Sequence, residues 1–324
     1  MKITRILLIL LSVVVILIIS AITYVKMALP NVPLKEVTVS NSPERIANGK
    51  YLANNVMVCM DCHSTRDWSK FSAPLLDGTL GKGGELFDQA MGFPGRYISK
   101  NITPFNLAKW SDSELFRVIT SGVTKSGKAI FPVMPYHYYG GMDEEDIKDV
   151  IAYLRTLEPI EFAPEESTSD FPMSFIINTM PREPVFSKKP EKEVSIAYGK
   201  YLVNSAGCVE CHTPFDGVAL ELDKAFAGGR QFPMPQGTVT TPNITPHSET
   251  GIGQWSRDAF VARFKAYDME NGYQPPVVKP GEFNTIMPWT MYAGMDETDL
   301  SAIYTYLQSL EPIENKVEVF LAVK

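Results

Sequence analysis

The sequence predicts a mostly α-helical protein: two tandem domains of one kind behind an N-terminal transmembrane helix. Three observations carry this. The chain opens on a long uncharged apolar run. The remainder repeats itself once, motif by motif. Helix-start signals fall at matching places in both halves, and strand signals are sparse.

The apolar run extends from Ile6 to Val25, 20 residues without a charge, the length a helix needs to cross the hydrocarbon core. A cleaved signal peptide has a shorter apolar stretch ending in a small-residue cleavage site. Nothing of that kind follows Ser20 before Lys26 and the proline-bearing stretch Pro30 to Pro33. An uncleaved anchor is therefore expected. Lys2 and Arg5 place the amino terminus in the cytoplasm by the positive-inside rule. The expectation is a single-pass protein of the inner (cytoplasmic) membrane with its C-terminal domains in the periplasm or extracytoplasmic space. The few residues before the run leave no room for a cytoplasmic signalling domain, which argues against a sensor. A net charge of −7 argues against a nucleic-acid partner, because phosphate binding needs a basic face.

The repeat comes next. GKYLANNVMVCMDCH at Gly49 to His63 is echoed by GKYLVNSAGCVECH at Gly199 to His212. NITP recurs at Asn101 to Pro104 and Asn243 to Pro246, each followed by a Trp-Ser pair, Trp110-Ser111 and Trp255-Ser256. Met134-Pro135 answers Met287-Pro288, Gly141-Met142-Asp143 answers Gly294-Met295-Asp296, and both halves close on LEPI. The offset drifts between 142 and 153 residues, so insertions fall between the shared motifs. The resulting division is an anchor over 1–27, a linker over 28–42, a first domain over 43–160, a Pro-rich linker over 161–192, a second domain over 193–315 and a tail over 316–324. Within the Pro-rich linker a short apolar element is expected around Phe175 to Ile177. Ser42-Pro43 is a helix cap followed by Pro at the first helical position. Ser111-x-x-Glu114 is a capping box. Asp143 and Asp296 cap a closing helix in each half.

Four cysteines in an exported protein first suggest two disulfides. Their spacing contradicts this, because they form two identical patterns, Cys59-Met-Asp-Cys62-His63 and Cys208-Val-Glu-Cys211-His212. C-x-x-C-H is the attachment signature of c-type haem: the thiols bond to the porphyrin and the adjacent His reaches the iron. A structural zinc site would cluster four ligands, and a thioredoxin-like dithiol would sit in an α/β pattern. Neither condition is met. The expectation is two covalently attached haem c groups, on Cys59 and Cys62 and on Cys208 and Cys211, with His63 and His212 as proximal ligands.

The sixth iron position is expected to be His or Met. His137 aligns with Thr290 and His247 with Phe105 across the repeat, so both are read as loop histidines. Met142 and Met295 precede helix caps at the position of a hydrophobic staple. Met134 and Met287 each precede Pro, which stiffens a loop able to hold a thioether against iron. These two are the expected axial ligands. Arg96, Arg230, Trp110 and Trp255 flank the NITP segments and are candidate donors to haem propionates.

These motifs, with the TGIG and Trp of Thr250 to Trp255 and the Met134-Pro135-Tyr136 loop, resemble the dihaem and trihaem cytochrome subunits of bacterial membrane-bound alcohol and gluconate dehydrogenases. The resemblance spans nearly everything from Ser42 to Ile313 and implies class I cytochrome c domains with His/Met ligation. The first half lacks the TGIG insert, the second has Trp289 where Tyr is common, and there are two haem motifs rather than three. Two six-coordinate irons imply electron transfer without catalysis by this chain. The expected donor is a dehydrogenase or quinol-linked complex and the expected acceptor an oxidase or soluble cytochrome. The alternatives are an electron-accepting cytochrome subunit of a periplasmic dehydrogenase complex, or a dihaem peroxidase-type enzyme, for which Met134 near His137 is the one hint.

Overall fold

The computed structural model of the chain describes residues 2–217 and 219–322; of the expected anchor, second domain and tail, Met1, Val218, Val323 and Lys324 lie outside the described residues. Helix α1 (Lys2–Ala28) is continuous, and its apolar stretch Ile3–Ala28 has a mean hydropathy of 3.2 with none of it buried by protein. A core helix of that composition would be covered. This one exposes Leu, Ile and Val on all sides, as a bilayer span does.

In the first half, α2 (Pro43–Tyr51) starts where Ser42 accepts from the Arg45 amide at 3.2 Å. It runs through one wide turn, Leu52–Val56, and then into α3 (Cys59–Cys62). A short turn α4 (Pro104–Leu107) precedes α5 (Asp112–Ser121), which opens on the expected capping box of Ser111 and Glu114. A second turn, α6 (Tyr136–Tyr139), leads to the closing helix α7 (Glu144–Leu154), capped by Asp143. The Pro-rich linker holds α8 (Met173–Ile176), the expected apolar element. The second half repeats the series as α9 (Ile196–Ser205), α10 (Cys208–Cys211), α11 (Arg257–Lys265), α12 (Trp289–Tyr292) and α13 (Glu297–Gln308), the last capped by Asp296.

Each half is built on one crossing, of α2 with α7 and of α9 with α13. The crossing explains the glycine of each GKY motif. A Cβ at Gly49 would lie 1.8 Å from the Asp149 carbonyl oxygen, and one at Gly199 would lie 1.9 Å from that of Ala302. Only a residue without a side chain lets the backbones approach so closely. Ile147, Ile151 and Leu300 fill the core beside these crossings, and Met142 and Met295 are buried with them. Each such side chain contributes about 1.5–3 kcal/mol by leaving water.

Two small sheets, whose strands were too short to show as a pattern in the sequence, flank the helices. β1 (Leu86–Phe87) pairs antiparallel with β2 (Gly95–Ile98), and β2 with β3 (Thr168–Ser169) from the Pro-rich linker. β4 (Gln231–Met234) pairs antiparallel with β5 (Gly237–Thr240), and β5 with β6 (Phe320–Ala322) from the tail. Linker and tail thus do the same job for the two halves.

The halves join through reciprocal contacts between equivalent residues. Tyr51 Oη donates to Asp299 at 2.6 Å and accepts from the Asp296 amide at 3.0 Å. Tyr201 Oη donates to Asp146 at 2.6 Å and accepts from the Asp143 amide at 3.1 Å. Each GKY tyrosine therefore reaches into the first turn of the other half's closing helix.

Candidate haem-binding sites

Each C-x-x-C pair lies on a single helical turn, which sets both thiols on one side and the following histidine at its end. The turn is entered through a left-handed residue, Val58 at φ 46° and Gly207 at φ 64°. All four cysteines are free. Burial pushes the Cys59, Cys62 and Cys208 thiols up to about 12 and that of Cys211 up to about 11, which favours the protonated thiol.

Both candidate proximal histidines are fixed by the same device. His63 Nδ1 donates to the Lys100 carbonyl at 2.7 Å, and His212 Nδ1 to the Pro242 carbonyl at 2.9 Å. Burial lowers both imidazole pKa values, which keeps the rings neutral and Nε2 free as a lone-pair donor. Lys100 and Pro242 are the residues just before NITP, and this gives that motif its role. Asn101 donates to the Ile160 and Phe162 carbonyls, both at 2.8 Å, and accepts from the Thr103 amide at 2.9 Å. Asn243 donates to the Ile313 carbonyl at 2.7 Å and accepts from the Thr245 amide at 2.9 Å. NITP is thereby tied to LEPI, and the histidine acceptor is held by the tie. Gly83 and Gly228, both at φ 75°, close the site from the other side. Their amides donate to the His63 and His212 carbonyls at 2.8 Å. A Cβ there would meet the backbone of residues 100 and 242 at 2.6 and 2.5 Å.

Met134 and Met287 occupy equivalent loops, half-buried against the core. In each the methionine carbonyl accepts at 2.8 Å from the amide two residues on, Tyr136 or Trp289, as the chain enters α6 or α12. These turns reach back to the haem-attachment residues. Tyr139 Oη donates to the Met57 carbonyl at 3.2 Å and Tyr292 Oη to the Ala206 carbonyl at 3.1 Å. Burial, and then the neighbouring thiols of Cys59 and Cys62, push the Tyr139 hydroxyl well above its ordinary value; burial with Cys208 and Cys211 does the same at Tyr292. Tyr139 and Asp61 act on Tyr292 as well, so the two attachment turns meet near the boundary between the halves.

These residues fit a covalently held haem in each half. Two thiols would attach the macrocycle, and an imidazole whose outer nitrogen is already committed, with a thioether loop tied back to the same turn, would supply the two axial positions. Tyr136 Oη, buried beside Met134 with no partner among the described residues, is a donor that a polar group of the bound cofactor would satisfy.

The two loop histidines sit elsewhere. His137 Nε2 lies 3.4 Å from Glu210 and is exposed, and His247 Nδ1 accepts from the Thr250 amide at 3.1 Å within its own loop. Of the candidate propionate donors, Arg96 is paired with Glu165 on the surface. Arg230 pairs with Glu210 at 3.5 Å over the rings of Phe215 and Phe232. Trp110 and Trp255 offer their carbonyls to Arg155 and Tyr304. The sequence reading missed the variable residue inside each C-x-x-C. Asp61 pairs with buried Arg66 at 2.9 Å, and Arg66 with Glu85 at 2.9 Å. Burial opposes the Arg66 charge, and the two carboxylates more than offset it, holding its pKa above the ordinary value. Glu210 takes the Tyr138 hydroxyl at 2.8 Å from the other half. An acidic residue at the same place in both motifs, Asp61 and Glu210, was the available signal.

Comparison with known proteins agrees with this geometry. The cytochrome c family model matches the chain twice, over residues 46–158 and 196–311. The chain is 27% identical to an alcohol dehydrogenase (quinone) cytochrome c subunit of Gluconacetobacter polyoxogenes, over 68% of this chain and 49% of that one. It is 26% identical to the fructose dehydrogenase cytochrome subunit of Gluconobacter japonicus, over 86% of this chain and 55% of that one. It is 28% identical to a diheme cytochrome c-type protein of Cereibacter sphaeroides, over 79% and 83%. The chain thus spans about half the length of the dehydrogenase subunits it matches. With the family matched over most of its length, and the histidine, thiol and methionine elements built the same way in both halves, the chain belongs to the cytochrome c family.

Proposed function

We propose that the chain is a membrane-anchored relay holding two covalently attached haem c groups, with His63 and Met134 as axial ligands in one half and His212 and Met287 in the other. It takes single electrons from a dehydrogenase or quinol-linked donor and passes them to an acceptor such as a terminal oxidase or a soluble cytochrome. The observation that carries this is the matched pair of imidazoles, each fixed through Nδ1 to the residue before NITP. When bound, haem c supplies a one-electron iron couple whose potential methionine ligation raises. The chain contributes the rest: it orients the imidazoles, holds both methionine loops and brings the two attachment turns to the boundary where the halves are hydrogen-bonded. α1 keeps the relay beside membrane partners. The relatives named as dehydrogenase subunits favour a dehydrogenase as donor, with this chain its electron-accepting subunit.

Absorption and magnetic spectroscopy of the oxidised protein tests the ligand set. Two low-spin haems with the sulfur-to-iron band in the far red are expected, and Met134→His or Met287→His should each remove half of that band. A high-spin haem, or a second nitrogen ligand in the unaltered protein, would overturn the assignment for that half and make that iron a candidate catalytic centre. Affinity purification from detergent-solubilised membranes tests the donor. A co-isolating dehydrogenase supports the subunit role, and a chain recovered alone speaks for a free-standing relay.

A further inference from the structure

The loop carrying Met287 is held by the other half of the molecule. Residues 68–73, which follow the first attachment turn, lie along the 276–289 segment of the second half. The Phe71 amide donates to the Pro276 carbonyl at 2.9 Å, and the Val278 amide to the Ser69 carbonyl at 2.8 Å. Asn284 is fully buried, and its side-chain oxygen accepts from the Ser72 amide at 3.0 Å and the Thr285 amide at 2.8 Å. Ser72 then closes on the ligand loop itself. Its hydroxyl donates to the Met287 carbonyl at 2.7 Å and accepts from the Trp289 amide at 3.0 Å. Thr285 Oγ1 accepts from the Met287 amide at 3.0 Å, so both backbone groups of Met287 are occupied.

Two features show that this contact is held firmly. Ser72 is 2% exposed, so its hydroxyl has little recourse to water. Ser72 and Ala73 both sit in the left-handed region, at φ 62° and 43°, a conformation that costs energy for side chains of either kind and persists only where the surroundings impose it. The arrangement is one-sided. At the equivalent loop of the first half, among the described residues, the Met134 carbonyl accepts from Tyr136 within its own turn, and the second half reaches that segment through Glu210, at His137 and the Tyr138 hydroxyl, three and four residues on.

We propose that Ser72 is a positioning residue for the second haem: from the first half it holds Met287 at the iron, and so sets the methionine bond and the potential of that haem. This rests on the reading of Met287 as an axial ligand. Thioether sulfur is a weak ligand for iron compared with imidazole, so the restraint on its loop decides how much of the time the bond is made. The first haem, with no such restraint on its methionine, is independent of Ser72.

The test uses full-length, haem-loaded protein in the Met134→His background, where the remaining far-red sulfur-to-iron band reports on the second half alone. Ser72→Ala, and Ser72→Gly to remove backbone strain together with the hydroxyl, should weaken that band, lower the potential of the second haem while leaving the first unchanged, and let carbon monoxide bind one reduced haem. In the Met287→His background the same Ser72 changes should leave both potentials where they were. If Met287→Ala leaves the band intact, the ligand reading itself is wrong. If Met287→Ala abolishes the band while both Ser72 variants keep the wild-type band, potentials and carbon monoxide response, Ser72 has only a structural role and the proposal falls.

Discussion

At the scale of single residues, Val58 and Gly207 show one backbone requirement met in two ways. Both enter a C-x-x-C turn in the left-handed region. Val58 pays with strain for a side chain packed on the core, while around Gly207 a Cβ would meet nothing within 4 Å. Gly207→Ala therefore isolates the backbone cost. It should destabilise the protein by about 1–2 kcal/mol, read from the urea midpoint at unchanged slope. A substitution without effect would mean that the entry to α10 relaxes freely. Asp61 and Glu210 make the complementary point about charge. Burial raises the Asp61 pKa, whereas at Glu210 burial is outweighed by hydrogen bonds from His137 and Tyr138, leaving it below the ordinary value.

At the scale of elements, the crossing of α2 with α7 and of α9 with α13 frames each half, and its tolerance is set by the glycine of GKY. Gly49→Ala would drive a methyl into the Asp149 carbonyl, which is backbone and cannot rotate away. The helices must separate, at a cost of about 3 kcal/mol or more, the upper end for overpacked sites. Circular dichroism on urea titration should show it, with Gly141→Ala as the exposed control, where the backbone is not left-handed and the nearest atom to the new methyl, the Tyr138 carbonyl oxygen, lies at an ordinary 3.4 Å. A Gly49→Ala protein as stable as wild type would show that the two helices are not in contact in solution.

At the scale of the molecule, the tyrosine exchange makes two repeats into one body. Tyr51→Phe leaves the buried Asp299 carboxylate without its shortest partner, with Tyr198 at 3.0 Å remaining. A loss of about 1–3 kcal/mol is expected, the range for a buried group deprived of a hydrogen bond. Combined with Tyr201→Phe it should turn a single unfolding transition into two, seen calorimetrically; one unaltered transition would show that other contacts hold the halves together. The same boundary predicts an acid response. Burial acts to raise the Asp296 pKa, and its contacts with Lys192 and the Asp299 amide outweigh it, so the folded value is lowered. A lowered folded pKa contributes stability that is present above the unfolded value of about 3.9 and lost as pH falls through the folded value. Asp299 runs the other way: burial raises it, and its contribution is present at low pH and lost as pH rises through its folded value. Asp296→Asn retains a good helix cap, so it should flatten the acid limb of stability against pH without loosening α13. An acid limb as steep as wild type would remove Asp296 from the account.

What the sequence determined by itself was local and repeated. Caps at Ser42, Ser111, Asp143 and Asp296 depend on side chains one turn from their targets, and the structure forms each of them. The apolar length of α1 and the C-x-x-C-H turns are likewise short-range patterns. The repeat also singled out NITP, though not what it does. Its role rests on the Lys100 and Pro242 carbonyls meeting imidazoles 37 and 30 residues away, a juxtaposition no local pattern encodes. The strands of linker and tail were illegible because two or three residues carry no periodicity, and their partners are chosen by the sheet they complete. Ser72 is the plainest case. Nothing in Phe71-Ser72-Ala73 marks a residue bonded to a loop 215 positions further on, because a hydroxyl acquires a partner only when packing delivers one. Side chains set the turns; the joining of two halves decided which turns control which site.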